Sequence, residues 1–75
     1  SLIVQALGPG ERGRMHSHSF WHLYFVLKGQ GASEIAGERI TWSDGDSFYV
    51  PAWVAHDLQN LSDTEDAIVY SAQNL

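Results

Sequence analysis

An all-β sandwich or barrel is the fold class predicted for this chain, on three observations. Apolar residues come in short runs rich in β-branched and aromatic side chains. Turn chemistry separates those runs at intervals of about eight to twelve residues. No stretch carries the apolar period of a helix. The turns are written as Gly8-Pro9-Gly10, Gly29-Gln30-Gly31, Ala36-Gly37-Glu38, Ser43-Asp44-Gly45-Asp46 and Leu61-Ser62-Asp63.

Eight strands follow from this punctuation. The first is expected at 2–7, from Leu2-Ile3-Val4 to the Gly-Pro-Gly turn. The second, at 13–18, places Arg14, His16 and His18 on one face by parity. The third, at 21–28, is apolar on both faces, with Trp21, Leu23, Phe25 and Leu27 on one side and His22, Tyr24 and Val26 on the other. Strands at 32–36 and 39–42 flank the Ala36-Gly37-Glu38 turn, and Phe48-Tyr49-Val50 forms one at 47–50. The strand at 54–60 puts His56, Leu58 and Asn60 on a common face, and the last runs from 66 to 73. A strand buried on both faces needs two partners. The row of Trp21, Leu23, Phe25 and Leu27 is therefore either a homodimer surface or a face covered by the chain's own terminal strands.

The length of the chain predicts one domain over 1–75. On folding, so small a domain buries only roughly 60% of the surface its unfolded chain exposes. Cysteine is absent, so disulfides are excluded and the available staples are a metal or a partner subunit. A hydrophobic content of 44% supplies a core. No apolar run approaches the length of a membrane helix, roughly 18 residues or more. Leu2-Ile3-Val4 is too short and lacks basic flanks for a secretory signal, which makes a cytoplasmic location the default expectation. Nine acidic residues against four basic ones, with no basic run, argue against nucleic acid, whose binding rests on neutralising phosphates. Glu34, Glu38, Asp44, Asp57, Asp63, Glu65 and Asp66 are read as a solvated face.

All four histidines fall at His16, His18, His22 and His56. Neutral imidazole is a common ligand for zinc, copper, iron and nickel, and residues i and i+2 of a strand point the same way, so His16 and His18 can grip one ion. From Gly10 the chain runs five residues to His16, one to His18, three to His22 and six to Gly29. From Gly45 it runs five to Pro51, one to Trp53, two to His56 and three to Asn60. These spacings resemble the two motifs of the cupin superfamily, G-x5-H-x-H-x3-4-E-x6-G and G-x5-P-x-G-x2-H-x3-N. Histidine stands at the glutamate position of the first, and Trp53 at the last glycine of the second.

The resemblance implies a small cupin of minimal size, a double-stranded β-helix or jelly-roll barrel, with His16, His18 and His56 as metal ligands. His22 is read as a fourth ligand, or as an imidazole beside the site that faces substrate. Fe(II) suits such a histidine site with open positions, and Mn, Ni, Cu and Zn compete for it. Pro51-Ala52-Trp53-Val54-Ala55-His56 is most similar to the second motif of gentisate-type ring-cleaving dioxygenases, which implies O2-dependent cleavage of a small oxygenated acid, aromatic acids included. Those enzymes are longer bicupins, so the chain also fits one half of such a protein or a non-catalytic metal-binding module. Metal-dependent isomerase or lyase chemistry is a third reading.

Arg14, two residues before His16, is the candidate anchor for a substrate carboxylate, or else an arginine of the rim. Tyr24 is placed either to donate a hydrogen bond into the site or to pack at the barrel mouth. Trp53 is expected to wall the entrance, and Gly10, Gly29 and Gly45 to punctuate the backbone.

Overall fold

The computed structural model describes residues 2–13, 15 and 17–73. Seven strands form within them: β1 Leu2–Leu7, β2 His22–Lys28, β3 Gln30–Ile35, β4 Glu38–Ser43, β5 Ser47–Val50, β6 Gln59–Asn60 and β7 Ala67–Gln73. They build a four-stranded sheet in the order β1-β7-β2-β5 and a three-stranded sheet in the order β4-β3-β6, with every pairing antiparallel. The two sheets face each other as a jelly roll, and the expected all-β class holds. No helix among the described residues is long and apolar enough to cross a membrane.

Alternation along the strands sorts the side chains as parity predicts. On β2, His22, Tyr24 and Val26 turn inward and are buried, while Phe25 and Leu27 lie outward and exposed. On β7, Ala67, Val69, Ser71 and Gln73 turn inward. The core gathers Leu7, Tyr24, Val26, Trp42, Val50, Leu58, Ala67 and Val69, with Ile35, Phe48 and Val54 packed against it. The terminal strands do not cover the outer row of β2. They extend the same sheet edgewise, β7 beside β2 and β1 beyond it, so Leu2, Val4, Phe25, Leu27 and Tyr49 all remain exposed.

Turn chemistry explains the tight corners. β3 and β4 are joined by Ala36 and Gly37 alone. Their φ angles are 52° and 81°. This doubly positive pattern is that of the type I′ hairpin, whose twist matches that of the strands. Gly29 has φ of 108°, and a Cβ there would collide with Ala67. No other residue fits between β2 and β3 without a shift.

Two expected strands are not formed as written. Within 13–18, Arg14 and His16 lie outside the described residues, and the described remainder has no ladder of its own. Glu11, Arg12 and Gly13 instead run beside Leu58–Asn60, through Gly13 N donating to Leu58 O at 2.8 Å, Asn60 N donating to Glu11 O at 2.9 Å and an Arg12–Gln59 bridge. The strand expected at 54–60 contracts to Gln59–Asn60, with one isolated bridge from His56 to Ile35. His56, Asp57 and Leu58 are all buried there, and the Asp57 carboxylate is taken up by Arg12 and the Glu34 amide. Asp57 leaves the solvated acidic face assigned to it: its carboxylate, 3% exposed, accepts from Arg12 Nε at 2.8 Å and from Glu34 N at 2.8 Å.

Candidate metal centre

Three of the four histidines come together between the sheets. His22 opens β2, where its Cα partners are Val50 on β5 and Gln73 on β7. His56 arrives from the opposite sheet through its bridge to Ile35. His18 sits in the connection before β2, and its carbonyl accepts a 2.6 Å bond from Trp53 N, which ties that connection to the turn leading into His56. Ring centroids lie 5.0 Å apart for His18 and His22, 5.1 Å for His22 and His56, and 5.9 Å for His18 and His56. One ring nitrogen from each lies within 4.8 Å of the others. His22 and His56 are buried, and His18 is half-buried. Arg14 and His16, the other predicted members, lie outside the described residues.

A hydrogen bond at the back of the His56 ring fixes which of its nitrogens faces the cluster. His56 Nδ1 donates to the Val54 carbonyl at 2.9 Å, which leaves Nε2 as its coordinating atom. His22 Nδ1 lies 3.1 Å from Ser71 Oγ. Three converging imidazoles are, in their neutral form, a donor set suited to a first-row transition metal, so the residues fit the ion that their pattern implies.

Tyr24 stands two residues along β2 from His22, its ring stacked on His22 at 5.3 Å and on Phe48 at 5.0 Å. Burial pushes its phenol up to about 12, with a hydrogen bond from Ser71 pulling the other way. The group is therefore protonated at any ordinary pH. Phe20 stacks on His18 at 4.9 Å with ring planes 11° apart. A cavity of about 280 Å³ opens beside His18 and His22, lined further by Ile3, Gln5, Phe20, Tyr24, Ser71 and Gln73. Trp53 is not part of that lining: it is 73% exposed, with φ of 65°. Glycine would adopt that left-handed geometry without strain.

Sequence reasoning missed Ser71, Gln73 and Phe20. A signal for the first two exists in β7, whose inward positions run Ala67, Val69 and then turn polar at Ser71 and Gln73. Inward polar residues at one end of an otherwise apolar strand mark the end that faces a site. Asn60, expected on the histidine face, has another task. Its Nδ2 donates to the carbonyls of Leu7, Gly8 and Glu65, and its Oδ1 accepts from Ser62 N, which clasps the end of β1 to the turn before β7.

Comparison with known proteins gives a match to the cupin domain over residues 3–72. A gentisate 1,2-dioxygenase of Aquipseudomonas alcaligenes is 43% identical over 61 residues, 80% of this chain and 18% of that protein. A 5-aminosalicylate 1,2-dioxygenase of Comamonas sp is 34% identical over 71 residues, 95% of this chain and 18% of that protein. The chain thus spans less than a fifth of the length of these relatives. The crystal structure of a predicted oxalate decarboxylase from Thermotoga maritima superposes with a TM-score of 0.90 over 99% of this chain and 64% of that one. At 23% identity this is a likeness of fold alone.

Proposed function

The chain belongs to the cupin family, and from that membership we propose that it binds one divalent transition metal, Fe(II) foremost, as a dioxygenase-type site for a small oxygenated aromatic acid. The observation that carries the proposal is the convergence of His18, His22 and His56 from three separate segments onto one point between the sheets. His16 is the proposed fourth imidazole, and Arg14 the proposed partner of a substrate carboxylate. A bound divalent ion would supply Lewis acidity and, as iron(II), the electron that activates dioxygen.

The chain's own residues set the conditions for that chemistry. An all-imidazole donor set contributes no charge, whereas a glutamate at position 22 would offset one unit, so the protein leaves the full +2 on the ion and favours its reduced state. The cavity beside the cluster lies near the lower end of the range of ligand pockets, roughly 300–1,000 Å³, which suits a single-ring acid. Phe20 and Tyr24 offer aromatic surface to such a ring, and the protonated phenol offers a hydrogen-bond donor. The relatives named as gentisate and 5-aminosalicylate dioxygenases support this substrate class.

A second reading, a metal-binding half of a larger protein with no turnover of its own, is favoured by one observation: the chain spans only 18% of each of those relatives. Anaerobic loading with Fe(II), followed by oxygen uptake with gentisate and 5-aminosalicylate, separates the two. Uptake stoichiometric with substrate supports the enzyme. Stoichiometric metal without uptake supports the non-catalytic module, and failure to bind metal removes both.

A further inference from the structure

His22 and Tyr24 point to the same side of β2, and Ser71 on β7 reaches His22. Ser71 is the Cα partner of Tyr24 and stands diagonally across from His22, whose own partner is Gln73. The serine is 3% exposed and its Oγ lies 3.1 Å from His22 Nδ1. A hydroxyl can donate or accept, so the direction of this bond follows the tautomer of the ring. Ligation by His22 through Nε2 requires the ring proton on Nδ1. Nδ1 is then the donor and Ser71 Oγ the acceptor.

We propose that Ser71 is the positioning residue for His22, its buried hydroxyl accepting from Nδ1–H and so holding the tautomer and ring plane in which His22 can ligate. The proposal rests on the metal-site reading above. It accounts for a requirement peculiar to this chain. A glutamate at position 22 would present two equivalent oxygens and need no tautomer chosen for it, whereas an imidazole binds through a given nitrogen only when the proton sits on the other.

The test is cobalt(II) affinity by competition titration, with the cobalt absorption spectrum as a second readout, for the parent, Ser71→Ala and Ser71→Thr, and for Ser71→Ala in a His22→Glu background. Ser71→Ala should weaken cobalt binding about 10- to 100-fold, the cost usual for losing the partner of a metal-bound histidine, and Ser71→Thr should restore most of it. In the His22→Glu background, Ser71→Ala should change affinity by less than about twofold, because the residue that needs orienting is gone. Ring-nitrogen NMR of the metal-free parent should place the His22 proton on Nδ1, and Ser71→Ala should show mixed tautomers. Equal affinity of parent and Ser71→Ala would overturn the inference alone. An equal loss in both backgrounds would also overturn it, by making Ser71 a packing residue. A parent that binds no cobalt would remove the metal reading and this inference together.

Discussion

Ala36 is the residue at which local chemistry and fold disagree most simply. Its φ of 52° places a Cβ-bearing side chain in left-handed geometry. It holds the first central position of a type I′ turn, where asparagine before glycine is preferred. Ala36→Asn should raise stability by about 0.5–1 kcal/mol, read as a higher denaturant midpoint at unchanged slope. The opposite sign is expected at Arg12. Its guanidinium is 55% exposed, but its partner Asp57 is buried, so truncation leaves a carboxylate held only by Glu34 N. Arg12→Ala should cost about 1–2 kcal/mol, the lower part of the range for hydrogen bonds to charged groups, because water screens the exposed partner. An unchanged midpoint would mean that water replaces the arginine fully. Neither effect is visible in the sequence. Asp57 reads as one more surface acid among many, because the Arg12 that buries it lies 45 positions away.

At the scale of elements, legibility follows from whether a segment obeys one period. β2 is readable because His22, Tyr24 and Val26 alternate strictly with Leu23, Phe25 and Leu27, and the hairpin at Ala36-Gly37 because turn residues sit between two such runs. The segment 54–60 is not, since three consecutive buried side chains answer to three different neighbours and no periodicity records them. The histidines are legible as a group through their spacing, while Ser71 shows only as a polar position on the inward face of β7, and its role comes from the register that sets β7 against β2. This same geometry makes a bound ion a cross-link, since His18, His22 and His56 come from a connection, a strand of one sheet and the edge of the other. Free metal at about 100 times its dissociation constant stabilises the folded state by about 2.7 kcal/mol. For a domain of this size, a chelator should therefore lower the melting temperature by roughly 11–22 °C. If chelation removes the metal and the unfolding curve does not move, the site is not a staple.

Among the described residues, one sheet face is left uncovered. Leu2 and Val4 of β1, Phe25 and Leu27 of β2 and Tyr49 of β5 share the outer side of the four-stranded sheet, with Trp21 packed near Tyr49 at 6.2 Å. An apolar face of this extent on so small a domain is a proposed homodimer surface. Light scattering at micromolar concentration should give twice the 8.3 kDa chain mass. Phe25→Lys, which places a charge in the middle of the face, should return the chain to one copy. A monomeric parent would remove the dimer from the account.

The claim on which the rest depends is that the converged imidazoles hold a transition metal. The direct measurement is elemental analysis after anaerobic Fe(II) loading and desalting, on the parent and on His18→Ala. About one equivalent of metal per chain is expected in the parent and almost none in His18→Ala, with His22→Ala between them, since that variant keeps His16, His18 and His56, the ligands that the cupin resemblance implies. A parent that leaves the column without stoichiometric metal, or a His18→Ala variant that keeps as much as the parent, would contradict it.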